Sequence, residues 1–314
     1  MDIERLIQRA KEDIARPNYP IRKMVLIHTG VSLAISLVLS LGSFLLGKYS
    51  DANGGLGAMG LQTVISSVQM FLPFVALAFS PFWQVGLENV ALGYAEGVVV
   101  EPRDMLSGFR RWRAVLSSSV MLGLQYLLRG FVASFLASQV LVYTPIGYPV
   151  YQAVMQQMQD PSFDIEAALE PHMPMLTTGT IVLALIGFAL LALPVYYRYR
   201  MVNYEIMQEP GLGGLRAMMR SSQRTFRQRR KLFKIDLHFW WIFAVNLLLQ
   251  VVAYGDLLLE LVGVTLPISA DVASWVFLLA SMAGQVILYV TAKPLYEVTW
   301  ARAYLELAEE NPVE

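Results

Sequence analysis

Arg129 sits in surroundings that suit it badly. It lies near the middle of the apolar stretch 114–143, with Gln125 one helical turn before it. A charged side chain at the centre of a bilayer costs about 2.5–3.5 kcal/mol on insertion scales, so it must face protein or water. Two readings stand. Arg129 and Gln125 contact an anion or substrate inside a bundle, or Arg129 is structural, bonded to helix carbonyls or reaching for an interface. No carboxylate lies mid-span elsewhere to pair with it.

The other chemistry-bearing residues are sparser. Asp236 and His238 stand two apart, hence on different helix faces, and an acid–base pair must converge. Glu88 and Glu96 lie on a helical extension near one membrane surface, placed to pair with the arginines of neighbouring connectors. His172-Met173-Pro174-Met175, with Met155 and Met158, offers soft ligands of the kind copper(I) takes. Methionine is also common filler in apolar helices. Asp160, Asp164, Glu166 and Glu170 lack the spacing of a calcium loop. Gly211-Leu212-Gly213-Gly214 precedes a helix, but it lacks the Lys-Ser/Thr and preceding strand of a phosphate loop. With no cysteine, thiolate catalysis, disulfides and cysteine–metal sites are removed. The expectation is no catalytic residue, no metal and no cofactor.

One tract carries charge in a usable pattern. Residues 198–234 hold ten of the 24 Lys and Arg residues, between two apolar segments. At about 100° per residue, Arg216, Arg220, Arg224, Arg227, Lys231 and Lys234 share one helix face, and Leu215, Met218, Phe226 and Phe233 lie opposite. A basic amphipathic helix between spans suits an anionic lipid surface. Docking of a partner protein through Met218, Met219 and Phe226 is a second use. Nucleic acid is not expected, since no folded soluble module surrounds the stripe.

The elements that must position these residues follow from composition. Hydrophobic residues are 56% and charged residues 15%, against about a quarter charged in soluble domains. The apolar residues gather in runs long enough for a hydrocarbon core of about 30 Å. The chain therefore reads as one all-α, polytopic integral membrane domain over 1–314. Six spans are expected, at about 24–46, 61–83, 114–143, 175–197, 235–254 and 272–292. An amphipathic arm (1–20), the basic joint (198–234) and a tail (293–314) lie outside them. The arm is charged and lacks a signal-peptide cleavage site, so the first span is expected to remain.

Lys and Arg number six before span one, four between spans two and three, ten in the joint and two after span six. The three opposite loops share only Lys48, a 22-to-1 split that puts both termini in the cytoplasm. Pro81-Phe82-Trp83 with Tyr94, Pro194-Val195-Tyr196 with Tyr204 and Pro294-Leu295-Tyr296 with Tyr304 suggest three helical hairpins of similar build.

The arm QRAKEDIARPNYP, the tract GLENVALGYAEGVVVEPRDMLSGFRRW, the joint residues Ala217, Ser221, Leu232-Phe233 and Trp240, and the closing KPLYEVTWARAYLEL resemble a bacterial membrane family. It is catalogued as domain of unknown function 975 (DUF975). The resemblance spans nearly the whole chain. It departs at Thr225-Phe226, where the family tends to carry glycine. The resemblance implies a bacterial cytoplasmic-membrane protein and transfers no reaction or site residue. Three functions stay in view: a non-enzymatic protein organising lipid or a partner at the inner surface, a transporter or channel for a small or anionic solute using Arg129, and a membrane-embedded enzyme. The third lacks converging ligands or nucleophiles.

Overall fold

The structure, a computed structural model, describes residues 2–16, 21–52, 79–160, 162–261 and 269–312, and among these there is no strand. In order come α1 (Ile3–Ile14), α2 (Ile21–Ala52), α3 (residues 79–96), a 3-10 turn (Pro102–Leu106), α4 (Ser107–Arg110) and α5 (Trp112–Val142). Then follow α6 (Tyr148–Gln159), α7 (Ile165–Leu169), α8 (Met173–Tyr199), α9 (Val202–Gln208), α10 (Gly214–Arg224), α11 (Arg229–His238), α12 (Trp240–Ala253), α13 (Gly255–Leu261) and α14 (Ala270–Glu310).

Four helical stretches are long and apolar enough to cross a membrane: Ile21–Val38, Trp112–Val142, Ile165–Gln208 and Val272–Glu310. These correspond to expected spans one, three, four and six. Span five is bent. α11 and α12 meet at 55° and make a fifth crossing only when taken together. The break falls at Phe239, whose φ of −98° and ψ of 14° leave the helical well, so the apolar helix starts at Trp240 rather than Ile235. Most of expected span two (61–78), with Pro73, lies outside the described residues.

The chain forms two compact units, Ser117–Arg200 and the remainder. In the first, α5 and α8 touch where side chains are small. A Cβ placed on Gly187 would meet Ala133 at 3.5 Å, and one on Gly179 would meet Leu141 at 3.0 Å. Ala133 and Ala137 are buried there, as close helix packing in lipid requires. Gly123, on the same helix, has nothing within 4 Å.

The second unit is built on α14. Its 41 residues at about 1.5 Å each make a rod of about 60 Å, twice a hydrocarbon core. The second half is buried in protein: Val298, Trp300, Ala301, Ala303, Tyr304 and Leu307 are all at most 2% exposed. α1 lies along it. Leu6, Ile7 and Ala10, the apolar face expected of the arm, are buried. Asp13 receives two hydrogen bonds from the Arg302 guanidinium, at 2.6 and 2.7 Å. α3 and α4 cross backbone to backbone, since a Cβ on Gly86 would fall 1.8 Å from the Met105 carbonyl oxygen and one on Gly108 2.1 Å from that of Phe82. Only glycine fits at either place.

Asp13 is 1% exposed, so Asp13→Ala strips the half-buried Arg302 guanidinium of its bidentate partner. A loss of about 2–3 kcal/mol is expected. Limited trypsinolysis should then open new cleavage at Arg9, Lys11 and Arg16, while wild type stays intact.

Candidate functional site

The basic joint folds differently from one continuous striped helix. Gly213 caps α10, which buries Gly214, Ala217, Met218, Ser221 and Arg224 and turns Leu215, Arg216 and Met219 outward. α10 stops at Thr225, and Arg227 takes a left-handed φ of 65° before α11 begins at Arg229. That conformation costs a non-glycine residue about 1–2 kcal/mol.

Two of the six stripe residues are held by carboxylates of the protein itself. Arg224 is only 9% exposed and is no lipid-surface contact. Its Nε donates to the Glu205 carboxylate and one NH donates to the Asn311 carbonyl at 3.2 Å. Its guanidinium lies over the Tyr304 ring, 5.7 Å from the centroid. Tyr304 in turn stacks on Tyr204 at 5.1 Å. One arginine thus joins α9, α10 and the end of α14. Arg220 is half-buried and pairs with Glu209. The physical reason is that α9 supplies carboxylates where a helical wheel shows only lipid.

Arg216, Arg227, Lys231 and Lys234 do face outward, joined by Arg230. Beside them stand Leu215, Met219, Phe226, Phe233, Leu237, Trp240 and Trp241, each more than 40% exposed. Met218, expected on that apolar side, is buried. Underneath, Leu232 and Ile235 are fully buried and hold α11 to the core. The result is an apolar face edged with cations, running directly into the apolar helix α12. Where α4 meets α9, the Arg111 guanidinium donates to the Ile206 carbonyl, and burial sets its pKa below the ordinary arginine value. Gln208 donates to Glu96, so that carboxylate pairs with an amide rather than a connector arginine.

Arg129 is half-buried and bonds its own helix. Its NH1 donates to the Gln125 backbone carbonyl at 2.8 Å. Long side chains lean toward the helix N-terminus, which brings the guanidinium back one turn. Arg129 and Arg200 both act electrostatically on Tyr126. This is the geometry of the structural reading, with the Gln125 backbone rather than its amide as partner.

Two polar clusters are assembled only by the fold. In the first, the Gln84 amide donates to both Glu88 and Glu297, at 3.1 and 3.3 Å, and both carboxylates are 1% exposed. Beside them His28 stacks on Trp83 at 5.5 Å, and the Trp83 indole donates to the His28 carbonyl. Lys293 acts electrostatically on His28. In the second, Ile242, Phe243, Asn246, Tyr289, Lys293 and Tyr296 line a cavity of about 190 Å³. There the Tyr289 hydroxyl donates to Asn246, and the Tyr296 hydroxyl to Asp236. The i,i+4 pairs Gln84–Glu88 and Lys293–Glu297 were the available signal. Neither spacing shows that the two segments meet, since Gln84 and Glu297 are 213 residues apart.

His238 faces outward and Asp236 is held by Tyr296, so the two do not converge. Asp160 caps its own loop through Ser162, whose hydroxyl and backbone N–H hold the carboxylate pKa below its usual value. Among the described residues no three His, Asp or Glu side chains gather as a metal would need.

Comparison with family models, curated proteins and solved structures found no match to this chain.

Glu205→Ala leaves the Arg224 charge buried without its carboxylate. A loss of about 3–5 kcal/mol is expected, read as a lower unfolding midpoint in nanodiscs. Replacing both residues with apolar ones (Glu205→Leu with Arg224→Met) should recover much of it.

Proposed function

We propose that this chain is a non-enzymatic, multi-pass protein of a bacterial cytoplasmic membrane. Both termini are cytoplasmic, and a folded helical platform at the inner surface binds anionic lipid and organises lipid or a partner protein there. The observation that carries the reading is the outward face of α10 and α11, where exposed aromatics and aliphatics lie among Arg216, Arg227, Arg230, Lys231 and Lys234 and lead into α12. Apolar side chains at that depth take up the headgroup boundary, and each nearby cation adds about 1 kcal/mol against an anionic leaflet. The 22-to-1 split of Lys and Arg supports the same side for both termini. The resemblance to DUF975 supports a bacterial cytoplasmic membrane. The absence of cysteine and the separation of Asp236 from His238 favour a binding rather than a catalytic role.

A second reading, passage of a small anionic solute, is favoured by the cavity at Asn246, Tyr289 and Lys293. Lys293 replaces Arg129 as the cation of interest in that reading, because the Arg129 guanidinium is engaged by its own helix.

Charge reversal at Arg227, Lys231 and Lys234 tests the first reading. Chymotrypsin cleavage at Phe226 and Phe233 should be slow for wild type in anionic liposomes and at least about tenfold faster in the variant. Equal rates in anionic and zwitterionic liposomes for wild type would contradict the reading.

A further inference from the structure

A cleft of about 510 Å³ opens between the end of α1, the start of α2 and α14, lined by Lys11, Ile14, Arg22, Thr291, Pro294 and Leu295. We propose that this cleft seats the phosphate headgroup of one anionic phospholipid, a site separate from the outward face of α10 and α11. The inference rests on the lipid-surface reading of the protein, and it adds a defined, single-lipid site to a diffuse surface contact.

Three observations carry it. The first is depth. The apolar window of α2 begins at Ile21, and Thr291 to Leu295 lie where expected span six gives way to the buried half of α14. The cleft thus stands at the boundary between hydrocarbon and headgroups. The second is charge. Lys11 and Arg22 are both exposed on the rim, and neither forms an ion pair with a described residue. Arg16 and Arg302, which lie nearby on α1 and α14, are each engaged by Asp13 instead. Two cations left over at one opening form an electropositive rim with room for a phosphate. The third is the floor. Ile14, Pro294 and Leu295 are apolar, and Thr291 spends its hydroxyl on the Ile287 and Leu288 carbonyls, so glycerol and acyl carbons meet no polar group that needs water. The walls are also firm. Asp13, one residue before Ile14, is bonded to Arg302, which holds the end of α1 against α14.

The test is native mass spectrometry of the full chain from nanodiscs of mixed phosphatidylglycerol and phosphatidylcholine. Wild type should retain one phosphatidylglycerol through detergent stripping. K11Q/R22Q should lose it by about tenfold or more in occupancy, with its circular dichroism unchanged. K231Q/K234Q should keep it, because that variant weakens only the outer face. If wild type retains the lipid while K231Q/K234Q loses it and K11Q/R22Q does not, the cleft is overturned and the surface reading survives. Release of the bound species by millimolar inorganic phosphate would overturn the lipid in favour of a free anion. Retention of phosphatidylcholine as readily as phosphatidylglycerol would overturn the headgroup assignment.

Discussion

The buried arginine at 224 is the interaction on which the polar half of the molecule depends. Taking a guanidinium out of water is costly unless a carboxylate and further acceptors surround it. Glu205, the Asn311 carbonyl and the Tyr304 ring do so from two other helices. Satisfying that one charge therefore fixes α9, α10 and the end of α14 against one another. Once they are fixed, Leu232 and Ile235 find a core to enter, and the remaining cations and aromatics of the joint have only one direction left to face. The Asp13–Arg302 pair repeats the device for α1.

A second constraint is length. A helix that crosses about 30 Å of hydrocarbon needs about 20 residues, and α14 has twice that. The surplus continues as the same helix into a protein core, where Val298, Trp300, Ala301 and Ala303 are buried. Pro294, at the junction, does not interrupt the helix. The opposite economy holds at α12, whose 14 residues make only about 21 Å. That shortness is compatible with an oblique α11 lying at the surface before it.

Much of this was legible in the residues. Continuous apolar runs predict long helices, and the described residues are helical with four stretches long and apolar enough to cross a membrane, because composition and periodicity are local properties. The arm's apolar face was visible for the same reason, though not what covers it. Tyr204 and Tyr304, which stood out after Pro194 and Pro294, stack on each other in the core. The basic joint was misread in part because a helical wheel assumes one unbroken helix. Nothing in Arg224 itself shows that Glu205, 19 residues earlier and on another helix, pairs with it, or that Arg227 turns left-handed. Glu88 and Glu297 were hidden likewise, since only folding brings residues so distant in the chain to one Gln84 amide.

The most direct test of the central claim is a depth measurement, and a chain without cysteine invites it. Single cysteines at Met219, Phe233 and Leu237 would carry nitroxide labels in anionic liposomes, with Glu101 as a water-facing reference. The account predicts that oxygen relaxes the three labels more than a water-soluble nickel complex does, while the reverse holds at Glu101. Nickel accessibility at Met219, Phe233 and Leu237 equal to that at Glu101 would place the α10–α11 face in water and contradict the account.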